Sequence, residues 1–214
     1  MNFVIDFSSK NVRQAKKALS SIVHNTPLDS SKTFSKLTGA NVYLKLENLQ
    51  KTGSFKVRGA YWKMLNVNNS TLKHVVAASA GNHAQGTAFA ASQLKIPCTI
   101  VMPENASTVK VAATSGYGAS ILLSGSNYDE SYSKAVSITK KSSATMIHPF
   151  DDPLVIAGQG TIGLEILNSL KNVDVIIAPV GGGGLISGLA LALKEKHPNI
   201  KIIGVQSSSM SSML

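Results

Sequence analysis

Three short stretches of the sequence combine residue types that can do chemistry. Lys56 stands between Phe55 and Val57 at the end of Lys51-Thr52-Gly53-Ser54-Phe55-Lys56. An ammonium in apolar surroundings is desolvated, which lowers its pKa and frees an amine nucleophile. Gly181-Gly182-Gly183-Gly184 follows the aliphatic run at 173–180. Glycines let backbone N–H groups approach an anion, and a helix starting from about Leu185 adds a favourable dipole. The dipole contributes about 0.3–1 kcal/mol per charge at exposed sites, so a phosphate is the natural guest. The third stretch, Ser79-Ala80-Gly81-Asn82-His83, is again a turn containing glycine. A lone lysine is ordinarily a solvated surface residue. An amine paired with a phosphate cradle, however, suggests an aldehyde cofactor that carries a phosphate, pyridoxal phosphate.

Other readings of the same residues are weighed on their spacing. A dinucleotide loop needs glycines at i, i+2 and i+5, then an acid about twenty residues on to hold a ribose. Here Gly182 and Gly184 are followed by Ser187, and just past the next strand stands Gln206, not Asp or Glu. The Walker pattern fails as well, since Gly188 precedes Leu189 instead of lysine. A tight turn for close packing is the remaining alternative for the quartet. His83 and Gln85 could serve only to satisfy the loop backbone. His24, His74, His148 and His197 lack metal-ligand spacing and read as surface or capping residues, so no metal is expected from them. Asp151 and Asp152 precede Pro153 and a helix, which favours capping over catalysis. Cys98 lies in the apolar run 96–101 and reads as a buried structural thiol.

These residues need a scaffold, and the pattern is alternating strand and helix. Apolar positions Val12, Ala15, Ala18, Leu19 and Ile22 recur at helical spacing over 9–22. Strands are expected at 42–46, 74–78, 98–102, 120–123, 144–147, 173–178 and 200–205. Helices are expected near 55–66, 82–94, 106–115, 129–141, 154–169 and 184–196. Nearly continuous aliphatic strands, each followed by a helix, imply parallel sheets covered on both faces, an open α/β fold. In such sheets ligands bind beyond the carboxyl ends of the strands, so the three loops would share one site.

With 214 residues, 43% of them hydrophobic, the chain can bury a core, and 15% charged residues exclude a highly charged disordered chain. One cysteine excludes an internal disulfide framework and fits a reducing compartment, and residues 1–10, with Asp6 and no long apolar run, are not expected to act as a secretory signal. The apolar runs are too short to span a membrane, so a cytoplasmic protein is expected. A net charge of +10 invites a nucleic-acid reading, but the lysines are scattered and aromatics are only 6%, so no nucleic-acid partner is expected.

The stretches 45–60 (Lys45-Leu46-Glu47-Asn48 through Lys56-Val57-Arg58-Gly59-Ala60), 78–86 and 157–165, with Pro179-Val180 and the glycine quartet, are long and ordered. Together they resemble the fold-type II pyridoxal-phosphate family over nearly the whole of 25–206. Within it the likeness is to the catabolic threonine dehydratases, with serine racemases and serine dehydratases as relatives. The resemblance implies two α/β lobes with the cofactor between them: a large lobe from 1–72 and 149–214, and a small one from 73–148. It implies that Lys56 carries the cofactor, Phe55 packs on its ring and Asn82 bonds its phenolic oxygen. Gly181, Gly182, Gly183, Gly184 and Leu185 would hold the phosphate. Ser79, Ala80, Gly81, Asn82 and His83 would wrap the carboxylate of an amino-acid substrate.

The implied reaction removes water and ammonia from threonine or serine: freed Lys56 takes the Cα proton, the β-hydroxyl leaves, and water completes a 2-oxo acid and ammonium. A racemase on this scaffold needs a second acid or base on the opposite face of Cα. Family racemases place a serine where this chain has Ala80, so elimination is favoured. A sensor without catalysis is argued against by the intact lysine motif. The resemblance also implies a homo-oligomer and an incomplete chain. Relatives continue into further strands, a serine that contacts the pyridine nitrogen, and a metal site nearby, all expected beyond Leu214.

Overall fold

A computed structural model describes residues 7–67 and 72–213. In chain order the elements are α1 (Ser9–Leu19), β1 (Leu28–Ser30), α2 (Lys32–Thr38), β2 (Tyr43–Lys45), α3 (Lys56–Asn66), β3 (Val75–Ala78), α4 (Asn82–Gln93) and β4 (Cys98–Met102). They continue with α5 (Thr108–Ser115), β5 (Ser120–Leu123), α6 (Tyr128–Ser142), β6 (Thr145–Met146), α7 (Pro153–Ser169), β7 (Val175–Pro179), α8 (Gly184–Leu193) and β8 (Lys201–Val205). Every expected strand and helix is present, several trimmed at their ends. The first helix stops at Leu19 instead of continuing to residue 22, and α5 starts at Thr108 because the Ser107 hydroxyl accepts from the Lys110 N–H. The pair β1 and α2 was not anticipated. These elements are three and seven residues long, and α2 buries no side chain, so no hydrophobic period marks it.

The central sheet has the order β5-β4-β3-β6, parallel throughout. Its period-two pattern is satisfied on both faces. Val75 and Ala77 of β3 join the core that contains Ala84, Ala88 and Ala91 of α4, while Val76 and Ala78 face Ala135 of α6. The chain runs outward from β3 through β4 to β5 and then returns to place β6 on the other side of β3. The reversal between β3 and β6 is a topological switch point, where open α/β sheets bind ligands beyond the strands' carboxyl ends.

Two expectations about the sheets require correction. β1 and β2 pair antiparallel, so not every sheet is parallel. β7 and β8 are parallel but covered on one face only: Ile176 and Ala178 are buried, whereas Val175 and Ile177 are 43% and 67% exposed.

Glycines in α7 permit the central helix packing. A Cβ on Gly158 would lie 2.6 Å from the Gly59 Cα of α3, and one on Gly160 would lie 2.5 Å from the Gly188 carbonyl oxygen of α8. The run 157–165 thus lets α3, α7 and α8 approach backbone to backbone, which holds the starts of α3 and α8 in fixed relation.

Candidate active site

Lys56 is the first residue of α3. The chain reaches it through a turn in which Gly53, at φ 70°, donates its N–H to the Gln50 carbonyl. That left-handed conformation favours glycine. The helix is anchored two residues on by Arg58, which is fully buried. Its guanidinium meets the Glu47 Oε1 at 2.8 Å and the Glu165 Oε1 at 2.8 Å. Lys16 and Lys45 also reach Glu165, at 2.6 and 2.7 Å. Burial opposes the charge on Arg58, but the two carboxylates outweigh it and hold the group above its ordinary value. Burial likewise disfavours the ionised Glu165, yet Arg58, Lys16 and Lys45 hold it at about 2.

The half-buried Lys56 side chain donates from Nζ to the Pro149 carbonyl at 2.7 Å, and Nζ lies 5.5 Å from the Phe55 ring centroid. Burial lowers the amine from its ordinary 10.5 to about 8. Near neutral pH roughly a tenth of the amine is therefore in the neutral form that a nucleophile or base requires, far more than for an ordinary lysine.

The turn after β3 lies at the switch point. Ser79 Oγ accepts from the Gly81 N–H at 3.1 Å, and α4 begins beyond Gly81, a residue with no side chain to cap it. Asn82 is exposed, Ser79, Ala80 and Gly81 are half-buried, and His83 is buried. First-turn N–H groups without a side-chain cap suit a carboxylate. α4 is pressed on the lysine: a Cβ on Gly86 would lie 2.8 Å from the Val57 nitrogen and 3.2 Å from the Lys56 Cβ.

In the glycine quartet, Gly184 is the first residue of α8, which agrees with the helix expected from 184. Gly183 has φ 85°, and a Cβ on Gly182 would strike the Phe150 ring at 2.2 Å. A Cβ on Gly184 would lie 3.0 Å from the Phe150 Cα, whereas Gly181 has nothing within 4 Å. Packing therefore explains Gly182 and Gly184, and backbone conformation explains Gly183. Gly181 satisfies neither need, which leaves room for a guest. The half-buried Leu185 sits in the first turn of α8, whose start no side chain caps. The Ser212 hydroxyl donates to the Gly181 carbonyl, and Met213 lies beside Gly183.

The segment 147–150 joins all three loops. Ile147 bonds His83, Pro149 receives Lys56, and Phe150 packs on Gly182 and Gly184. His148 supports the segment, with Nδ1 accepting from the Asp151 N–H at 2.8 Å and its ring set edge-on to Phe150. Sequence reasoning passed over Pro149 and Phe150. The available signal was their position directly after a strand whose carboxyl end must join the β3 loop. Asp152 caps α7, accepting from the Leu154 and Val155 N–H groups, and Cys98 is buried with its thiol pushed up to about 12 by burial. No group of three His, Cys, Asp or Glu residues able to hold a metal occurs among the described residues. A cavity of about 830 Å³ lies near Val175 and Lys201, at the amino ends of β7 and β8 and away from Lys56.

Comparison with known proteins bears on this arrangement. Residues 19–214 match the family described as pyridoxal-phosphate dependent enzyme. The chain is 52% identical over 206 residues to an L-threonine ammonia-lyase of Thermotoga maritima, covering 96% of this chain and 51% of that protein. The processed form of threonine deaminase isoform 2 from Solanum lycopersicum superposes with a TM-score of 0.91 at 41% identity, over 96% of this chain and 57% of that one. Maize serine racemase gives 0.92 at 36% identity, over 95% of this chain and 62% of that one. The chain spans about half the length of the curated relatives it matches.

Proposed function

We propose a function from one premise: this chain belongs to the pyridoxal-phosphate dependent enzyme family. The activity is that of a threonine ammonia-lyase, which converts L-threonine to 2-oxobutanoate and ammonia and also accepts L-serine, yielding pyruvate. The observation that carries it is the Lys56 amine, lowered to about 8 and held at 2.7 Å by a carbonyl in a segment that also touches the other two loops. Relatives named for threonine ammonia-lyase activity support the choice of reaction.

The residues present fit the cofactor. Lys56 offers an amine lowered from 10.5 to about 8, and the open space at Gly181 beside the uncapped start of α8 suits a phosphate. Gly181, Gly182, Gly183, Gly184 and Leu185 would hold that group, Phe55 would lie against the ring, and Asn82 would meet the phenolic oxygen. When bound, the cofactor supplies an aldehyde for the amine and a conjugated ring that accepts electrons from Cα. The chain's own contribution is positional and acid–base. First-turn N–H groups of α4 at Asn82 and His83, with Ser79, Ala80 and Gly81, orient the substrate carboxylate. The neutral Lys56 amine takes the Cα proton, and the Pro149 carbonyl keeps it aimed. Ala80 has no proton to give from the opposite side, which disfavours the racemase reading.

The proposed architecture divides into a large lobe (1–72 and 149–214) and a small lobe (73–148) with the site between them. The position of the central sheet at 75–146 supports this division. The proposed setting is the cytoplasm, in a homo-oligomer, without nucleic-acid or membrane partners; no described helix is long and apolar enough to cross a membrane. The test is covalent cofactor attachment, trapped with borohydride and located by peptide mass, together with 2-oxobutanoate formation from threonine. Lys56→Ala should abolish both while the fold is kept. Normal oxo-acid production by that variant would overturn the assignment.

A further inference from the structure

We infer that His83 is a positioning residue for Lys56: its Nε2 donates to the Ile147 carbonyl and thereby fixes the strand end whose Pro149 carbonyl receives the lysine amine. The inference rests on the reading that Lys56 is the reacting amine. His83 is 3% exposed, and its Nε2 lies 2.8 Å from the Ile147 carbonyl oxygen. A carbonyl only accepts, so Nε2 carries the proton. Burial, reinforced by the nearby Lys56 charge, holds the imidazole near 3, so the ring is neutral. Nδ1 is then a bare acceptor and has no partner among the described residues.

The bond closes a triangle. At one corner α4 grips the lysine backbone, since Gly86 has no space for a Cβ against Val57 and Lys56. At the second, the same helix holds Ile147 through His83, with the Thr87 hydroxyl 3.4 Å from Nε2. At the third, Pro149, two residues beyond Ile147, receives Nζ at 2.7 Å. Proline's fixed φ leaves little freedom between the two carbonyls. The backbone and the amine of Lys56 are thus both referred to one rigid helix at the switch point.

The test reads the amine in the cofactor-free chain. Competitive acetylation across pH measures the Lys56 midpoint. The titratable groups facing this amine are His83 from α4 and His148 from the segment after β6. The parent should titrate at about 8. In His83→Leu the strand end is released, water reaches the amine, and the midpoint should move up toward the ordinary 10.5. His83→Gln retains a donor for Ile147 and should restore the parent midpoint. An unchanged midpoint in His83→Leu, or a failure of His83→Gln to rescue, overturns the proposal. Nitrogen-15 NMR of the parent provides a check without any variant: the Nε2-protonated neutral ring should persist from about pH 5 to 9, and an Nδ1-protonated ring overturns it. Failure of the functional reading would appear elsewhere, as no borohydride-trapped cofactor at Lys56 in the parent.

Discussion

Replacing Glu165 with glutamine removes one charge while nearly conserving volume, and it tests the network beneath Lys56. The carboxylate is 1% exposed and faces three cations, Arg58, Lys16 and Lys45. Removing one partner from a buried pair leaves uncompensated charge, a loss of about 3–5 kcal/mol. The pKa provides a second route to the magnitude. A drop from 4.5 to about 2 corresponds to about 3 kcal/mol at 1.36 kcal/mol per pH unit. The two figures agree. Because the folded value is depressed, this stabilisation is fully present above pH 4.5 and is lost as pH falls through about 2. Urea unfolding of parent and Glu165→Gln should therefore differ by about 3 kcal/mol at pH 7, with a gap that narrows steadily below pH 4.5. A gap under about 1 kcal/mol at pH 7, the size of a surface ion pair, would refute the reasoning. So would a gap that stays constant as the acid range is entered.

The glycine loop gives a contrast between neighbours. Gly181→Ala meets no atom within 4 Å and should change thermal stability little while weakening cofactor attachment several-fold, read by equilibrium dialysis. Gly184→Val presses on the Phe150 backbone at 3.0 Å and should destabilise the cofactor-free chain by about 1–3 kcal/mol; equal melting of the two variants would count against this division of roles. Ala80→Ser should add measurable D-serine formation at some cost to elimination, and a chiral assay showing no D-isomer above the parent's level would defeat that expectation.

Much of the fold and of the candidate site was legible because the signals are local. A lysine between apolar neighbours at a helix start, a glycine run after an aliphatic strand, and apolar periods of two and 3.6 depend on residues close along the chain. The element order and the three loops follow from them, as does the capping role of Asp152. The partners of those residues follow from strand order instead. Pro149 lies 93 residues from the lysine it receives, and Ile147 lies 64 from the histidine it holds. Both contacts exist because β6 returns beside β3, a placement no local period encodes. The tertiary structure likewise decided that Gly182 makes room for the Phe150 ring and Gly184 for the Phe150 backbone, leaving Gly181 as the open position. The weak amphipathic signals of β1 and α2 were invisible for the opposite reason: segments that bury almost nothing leave no pattern in the sequence to read.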